Sequence, residues 1–129
     1  MKKIFFAYPK TYWNSETEQI LIKRIEDCFP DFEVEIPNKP VHDENYKKWK
    51  REFGNGERYY SEEVLPWMGA GIFLAFPDGM FGAGAYGEAE FLDMIKKPIY
   101  EIKINGIITK LNLIPTRMLS IQQTRERYQ

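Results

Sequence analysis

Short apolar runs alternate with amphipathic stretches along this chain, as they do in proteins that alternate strands and helices. Two runs rich in β-forming residues, 4–8 and 71–76, predict buried parallel strands. Ser15 opens a stretch of capping-box form, and apolar residues then recur at helical spacing as far as the Phe29-Pro30 stop. The chain is therefore predicted to begin with a strand followed by a helix.

The rest of the chain continues this alternation. Residues 32–36 alternate apolar and acidic side chains and predict a strand, which the prolines that follow place at a sheet edge. The other predicted elements are a short helix within 37–58, another from Ser61 to Trp67, a helix over 85–95, a strand over 99–104, an antiparallel return over 107–111 after the Asn105-Gly106 turn, and a capped helix from Ser120 to Tyr128. These elements predict one α/β domain over 1–129, Rossmann-like (flavodoxin-like), with a mostly parallel sheet, a C-terminal hairpin and a short helix.

The segment 37–58 is polar. Its lysines and arginine at 47, 48, 50 and 51 are expected on the solvated face of the helix, with Tyr46, Trp49 and Phe53 turned inward. His42 lies in a proline-rich part of this segment and is expected at the surface. Because it is the only histidine, a histidine-based triad or a histidine-rich metal site is excluded, and no metal is implied.

Composition narrows the class of protein. With 129 residues, 43% of them hydrophobic and 29% charged, the chain has the makeup of one ordinary globular domain. A net charge of −1 favours neither a nucleic-acid polymer nor an anionic membrane as partner, so a bound nucleotide would be a small molecule. A single cysteine, Cys28, and the lack of a long apolar run indicate a cytoplasmic protein. The high aromatic content is compatible with a homodimer.

The strongest candidate for chemistry is the glycine-rich loop between the strand 71–76 and the helix after it. Gly79, Gly82 and Gly84 let main-chain N–H groups approach a phosphate or a sugar oxygen, although tight helix packing also uses glycines. Asp78 and Glu88 bracket these glycines. A carboxylate at residue 88 can act as nucleophile or base at the anomeric carbon of a sugar, or it can merely stabilise the helix dipole.

A resemblance gives these residues roles. The strand Ile4-Phe5-Phe6-Ala7, the helix 63–67 leading into the strand 71–76, and Gly84-Ala85-Tyr86-Gly87-Glu88 ahead of Lys97-Pro98 follow one another in a characteristic order. Over about residues 3–102 this order resembles the nucleoside 2-deoxyribosyltransferase family and its nucleotide N-hydrolase relatives.

The resemblance implies that Glu88 is the nucleophile on the sugar, that Glu63 orients the sugar and that Asp78 helps to handle the base. The substrate-binding residues that it implies come from the first strand and the glycine-rich loop: Phe5, Ala7, Tyr8, Gly79, Gly82 and Gly84. No cofactor is implied. Phe5 stands where the family usually has a tyrosine.

The same loop supports a second resemblance. The run 82–88 is similar to the Gly-x-Gly-Thr-x-x-Glu signature of cytokinin-activating phosphoribohydrolases, in which the glutamate again corresponds to Glu88. Both resemblances imply an enzyme that cleaves or transfers at the N-glycosidic bond of a small nucleoside or nucleotide. Hydrolase or transferase, and ribose or deoxyribose, are left open. The alternative is a non-catalytic nucleotide-binding or sensor module on the same fold, which the phenylalanine at residue 5 favours.

Overall fold

The predicted strands form one sheet. A computed structural model describes residues 2–128 and contains β1 (Lys2–Ala7), β2 (Phe32–Glu35), β3 (Ala70–Phe73), β4 (Ile99–Ile102) and β5 (Ile108–Lys110). Their order in the sheet is β2-β1-β3-β4-β5, with the first four parallel and β5 antiparallel to β4. This confirms the mostly parallel sheet, the edge position of β2 and the antiparallel return after Asn105-Gly106, and it is compatible with a Rossmann-like fold.

The helices flank this sheet. They are α1 (Glu16–Cys28), α2 (Pro40–Phe53), α3 (Glu57–Tyr59), α4 (Ala83–Met94) and α5 (Ile121–Glu126). The short α3 continues as a π-helical turn, Tyr60–Val64, and a 3₁₀ turn, Leu65–Trp67. No helix within residues 2–128 is long and apolar enough to cross a membrane.

The alternation of side chains along β1 builds a core on both faces of the sheet. Ile4 and Phe6 pack in the cluster that contains Leu21 and Ile25 of α1. Phe5 and Ala7 belong to a second cluster, with residues from the turns after α3 and from α4. The sheet is therefore a middle layer between helices, and ligands of such folds bind at the carboxyl ends of the strands.

Two helix starts were predicted from capping-box sequences, and one has the complete motif. In α5, the Ser120 hydroxyl accepts from the Gln123 amide at 3.0 Å, and the Gln123 side chain accepts from the Ser120 amide at 2.9 Å. In α1, Ser15 caps the Glu18 amide at 3.1 Å, but the Glu18 carboxylate is buried and accepts from Tyr8 and Asn38 instead. A tertiary contact therefore replaces half of the local motif.

The segment 37–58 departs most from its prediction. Its helix, α2, has 14 residues, and Phe53 at its end is exposed where it was expected inward. The prediction of an exposed His42 was wrong. This imidazole is buried, with Nδ1 2.7 Å from the Tyr59 hydroxyl and Nε2 2.7 Å from the Glu35 carboxylate. Both partners lie on other elements, Glu35 on β2 and Tyr59 on α3, so the local pattern of α2 could not indicate them.

Candidate functional site

A cavity of about 620 Å³ opens where β1 and β3 end and α4 begins. The loop after β1 and the end of α2 form two of its walls, α5 forms a third, and the start of α4 forms its floor. The residues that line it include Tyr8, Lys10, Tyr46, Lys50, Glu57, Tyr60, Gly82, Gly84, Glu88, Thr124, Arg125 and Tyr128. The cavity thus lies at the edge of the sheet where such folds bind ligands.

Two carboxyl groups meet inside this cavity. Glu88 is the sixth residue of α4 and is 8% exposed. Glu57 begins α3, is partly exposed, and has its carboxyl group beside that of Glu88, close enough for the two to share a hydrogen bond. Such a bond needs a proton on one of the two carboxyl groups, so they titrate as a pair. We call these two residues the carboxyl pair.

Gly84 explains how Glu57 reaches α4. A Cβ atom added to Gly84 would lie 2.9 Å from Oε1 of Glu57, closer than real Cβ contacts allow. The Glu57 carboxylate therefore lies directly against the first turn of α4, where the positive end of the helix dipole favours an anion. The Ala83 amide in the same turn donates to Thr124 Oγ1 at 2.9 Å, whereas Gly84 and Ala85 line the cavity.

The electrostatics of the pair are unequal. Burial raises the pKa of Glu88 well above its usual range, and the charge of Glu57 and the hydrogen bond to it add to this effect. Burial also raises the pKa of Glu57, but the hydrogen bond from Glu88 and the charge of Lys10 oppose the rise. Both carboxyl groups therefore bind a proton more readily than an exposed glutamate does.

Two tyrosines face the pair, and cations surround the mouth of the cavity. Burial raises the pKa of both Tyr46 and Tyr60, and the negative charges of Glu57 and Glu88 raise it further. Lys10, Lys50 and Arg125 line the mouth and are exposed. Lys10 Nζ lies 5.7 Å from the ring centre of Trp13 and 5.9 Å from that of Tyr128, so aromatic faces flank this cation. An acidic centre thus lies beneath a basic, aromatic entrance.

No protein-family model, no curated protein and no solved structure matches this chain. The site is therefore described from its own geometry. Within residues 2–128, no group of three or more histidine, cysteine, aspartate or glutamate residues is arranged to hold a metal ion.

Five of the residues predicted from the sequence come together in the cavity: Ala7, Tyr8, Gly82, Gly84 and Glu88. Tyr8 contributes its ring, because its hydroxyl donates to the buried Glu18 carboxylate. Glu88 was expected within about the first turn of its helix and lies in the second, since α4 begins at Ala83 rather than at residue 85. Its neighbour Glu90 faces outward and is exposed, as the helical spacing predicts.

Asp78 and Gly79 lie at the surface beside the loop, outside the cavity lining. The Asp78 carboxylate caps the Met80 amide at 3.2 Å and forms an ion pair with Arg127 at 2.7 Å. These contacts hold the pKa of the Asp78 carboxyl below its usual range. The Gly79 carbonyl accepts from Arg117 Nε at 2.9 Å. Sequence proximity to the glycines put Asp78 among the candidates, but the turn directs its carboxylate to Arg127.

Glu63 and Phe5 are also separated from the carboxyl pair. Glu63 is exposed and lines a smaller cleft of about 340 Å³ with Lys2, His42 and Trp67. Phe5 is fully buried in the core and does not line the cavity. Side chains alternate along β1, so Phe5 and Ala7 share a face and only Ala7, nearer the carboxyl end, reaches the cavity.

Sequence reasoning missed Glu57 and the whole wall formed by α5. The local signal at Glu57 is slight: Asn55 Oδ1 accepts from the Glu57 amide at 3.0 Å, as an asparagine at a helix start often does. Thr124, Arg125 and Tyr128 belong to a short polar helix far along the chain from the loop. Nothing in their local sequence indicates that they line the same cavity as Glu88.

Gly84→Ala tests the contact between α4 and Glu57. The new Cβ is expected to displace the flexible Glu57 carboxylate, which should lower the pKa of Glu88 because a neighbouring negative charge moves away. Carboxyl-carbon NMR titration of Glu88 measures this change. The change in the free energy of unfolding should stay within about 1 kcal/mol, since alanine favours a helix.

Gly87→Ala is the matched control in the same helix. A Cβ at Gly87 meets nothing within 4 Å, so this variant should leave the titration of Glu88 unchanged. Equal titration curves for the two alanine variants and the wild type would contradict the proposed packing of Glu57 on Gly84.

Proposed function

We propose that this protein cleaves or transfers at the N-glycosidic bond of a small nucleotide, with Glu88 as nucleophile and Glu57 as its acid–base partner. The observation that carries the proposal is the carboxyl pair, which lies in a cavity beside a glycine-lined helix start at the carboxyl edge of a parallel sheet. Glycosidic bond cleavage typically uses two carboxyl groups, one of them protonated and one ionised.

The unequal pair provides a route for the first step. The proton of Glu88 passes along the existing hydrogen bond to Glu57, which leaves the Glu88 carboxylate free to attack the anomeric carbon. As the bond from Glu88 oxygen to that carbon forms, the carbon–nitrogen bond breaks and its electron pair leaves with the base. Protonated Glu57 then gives its proton to the departing base.

The second step reverses the roles. Water, or the nitrogen of a second base, attacks the anomeric carbon and displaces the Glu88 carboxylate, while Glu57 accepts the proton that the attacking group loses. One proton returns to the pair, so the site is restored. The partial exposure of Glu57 supports this role, because it must exchange protons with groups that enter and leave the cavity.

The entrance favours a substrate that carries a negative charge. Lys10, Lys50 and Arg125 would attract a phosphate group. Tyr8, Trp13 and Tyr128 offer aromatic surface on which a base can stack. These features favour a nucleotide over an uncharged nucleoside.

Incubation with a panel of nucleosides and 5′-nucleotides, analysed for free base by chromatography, tests the function. We expect release of base, faster from nucleotides than from the matching nucleosides. If no member of the panel releases base, the proposal is refuted. Parallel reactions with a second base present distinguish transfer from hydrolysis.

Glu63→Gln is informative in the same assay. Glu63 lies in a different cleft, so its replacement should leave base release within about twofold of the wild-type rate, as expected for a substitution at an exposed site away from the cavity. A loss of tenfold or more would restore the role in sugar orientation that the family resemblance implies.

One observation favours a non-catalytic alternative. Burial favours the protonated form of Glu88, and this carboxyl group could serve simply as a buried hydrogen-bond donor to a bound nucleotide. A nucleotide that raises the melting temperature without any release of base would favour this binding module.

A further inference from the structure

The segment 120–128 forms a wall of the cavity but is attached to the rest of the protein by few contacts. It consists of Ser120, the helix α5 and the residues that follow, and it places Thr124, Arg125 and Tyr128 on the cavity. None of the six residues of α5 is buried. Ile121, its largest aliphatic side chain, is 65% exposed and also faces the cavity mouth.

The chain immediately before this segment is firmly held. Arg117 forms two hydrogen bonds with the Glu101 carboxylate, at 2.9 and 2.6 Å, and its guanidinium lies 4.6 Å from the centre of the Phe81 ring. The backbone of Phe81 donates to the Arg117 carbonyl at 2.7 Å and accepts from the Leu119 amide at 2.9 Å. Leu119 is buried. The anchoring therefore ends at Leu119.

Beyond Leu119, three polar contacts at the rim fasten the segment. Thr124 accepts from the Ala83 amide at 2.9 Å, Arg127 pairs with Asp78 at 2.7 Å, and the Tyr128 hydroxyl accepts from the Lys10 amide at 3.1 Å. Arg127 and Tyr128 also contact the ring of Phe76, at 4.9 and 5.8 Å. Both members of the Arg127–Asp78 pair are partly exposed, so water and salt weaken this ion pair.

The segment can keep its shape without those contacts. The reciprocal Ser120–Gln123 capping box satisfies the start of α5 from within the segment itself. A short capped helix that lacks buried side chains and is fastened by surface contacts belongs to the low-stability end of a structure. The capping box follows directly after the buried Leu119, so the boundary between the anchored part and the weakly held segment lies between Leu119 and Ser120.

We propose that residues 120–128 are a lid, hinged between Leu119 and Ser120, which opens to admit the substrate and closes to bring Arg125 and Tyr128 onto it. The identity of the substrate rests on the proposed function, whereas the opening does not. Opening would free the Ala83 amide and so uncover a further donor at the start of α4. Asp78, which lies outside the cavity, then has a role as the fixed half of the Arg127 contact.

Amide hydrogen exchange of the full chain, followed by NMR without any ligand, tests the lid. The amides of Ala83 and Lys10 are reporters, because their acceptors belong to the lid. We expect them to exchange about 100-fold faster or more than the amides of Phe81 and Leu119, whose acceptors belong to the anchored part. Equal exchange of the two sets would show that the segment opens only when the anchored part opens with it, and would overturn the proposal.

Arg127→Gln sharpens the test. It removes the ion pair to Asp78 and should speed exchange at Ala83 and Lys10 several-fold, while Phe81 and Leu119 stay unchanged. Glu126→Gln is the matched control, since Glu126 accepts a hydrogen bond from Gln122 of the same helix. The lid is wrong if both variants change the reporters equally, or if Arg127→Gln speeds exchange at Phe81 and Leu119 as much.

A ligand arm separates this proposal from the proposed function. Addition of a 5′-nucleotide should slow exchange at Ala83 and Lys10 and leave Phe81 and Leu119 unaffected. Ligand-free opening with no release of base would support the lid and refute the enzyme. Release of base with uniform exchange would support the enzyme and refute the lid, and binding without slower exchange at the reporters would refute closure over the substrate.

Discussion

Glu88→Gln is expected to lose base release by about a thousandfold or more, as removal of a covalent nucleophile generally does. Glutamine keeps the size of the side chain and a hydrogen bond to Glu57, so the cavity should remain intact. It cannot form the ester with the anomeric carbon on which the proposed first step depends. A thousandfold loss corresponds to about 4 kcal/mol of transition-state stabilisation.

Glu90→Gln is the matched control, because Glu90 lies in the same helix and is exposed. It should retain the wild-type rate. Single-turnover reactions with enzyme in excess should give one equivalent of base per equivalent of nucleotide from wild type, and mass spectrometry should find the sugar on the peptide that contains residue 88. Sugar attached to the peptide that contains residue 57 would reverse the proposed roles of Glu88 and Glu57.

The free energy of unfolding should respond to pH in a way that Glu88→Gln removes. The folded state raises the pKa of Glu88 above the value of 4.5 expected for the unfolded chain, so it binds the proton more tightly. The stability from this group is fully present below pH 4.5 and is lost as pH rises through the folded pKa. Around neutral pH, Glu88→Gln should therefore be more stable than wild type, with the difference vanishing below pH 4.5.

Denaturant unfolding of wild type and variant across pH 4 to 8 measures this difference. The groups that face the pair from the neighbouring elements are Tyr46, Tyr60, Lys10 and Arg125, which are common to both proteins. Glu90→Gln should show no comparable gain. A constant difference between wild type and Glu88→Gln across this range would show that Glu88 does not bind its proton more tightly in the folded state.

Other carboxylates act in the opposite direction, which is why the variant must be compared with wild type at each pH. Burial raises the pKa of Glu35, but hydrogen bonds from His42 and Lys39 outweigh it and the net shift is downward. Hydrogen bonds from Arg127 and the Met80 amide lower the pKa of Asp78. Stability from such groups is present above the unfolded pKa and is lost as pH falls.

The sheet could be predicted because its signals are local. The apolar run of β1 and the Asn105-Gly106 turn act on their own neighbours, and each gave the expected element. Boundaries were harder to predict, since pairing with neighbouring strands rather than propensity ends a strand: β3 stops at Phe73, its last residue paired with β1 and β4, whereas the apolar run continues to residue 76. Contacts across the chain decided the burial of His42, whose partners Glu35 and Tyr59 lie on other elements.

Only part of the candidate site could be predicted from the sequence. Gly82, Gly84 and Glu88 stand together in the sequence, at a strand-to-helix junction whose geometry is well known, so their position in the cavity could be predicted. Asp78 and Glu63 are close to the same junction in sequence, but the side chains point to Arg127 and to a separate cleft. In a loop or an irregular helix, proximity along the chain does not determine where a side chain points.

The sequence by itself determined the α/β class, the alternation of its strands and helices and the helix on which Glu88 stands, because hydrophobic periodicity and turn chemistry act over a few residues. The tertiary structure alone decided that Glu57 lies beside Glu88 and that the segment 120–128 forms a wall of the cavity. Those contacts join residues about 30 and 40 positions apart, and packing around the absent side chain of Gly84 selects the first of them. The pKa of Glu88 follows from that packing, and so does the chemistry that we propose for it.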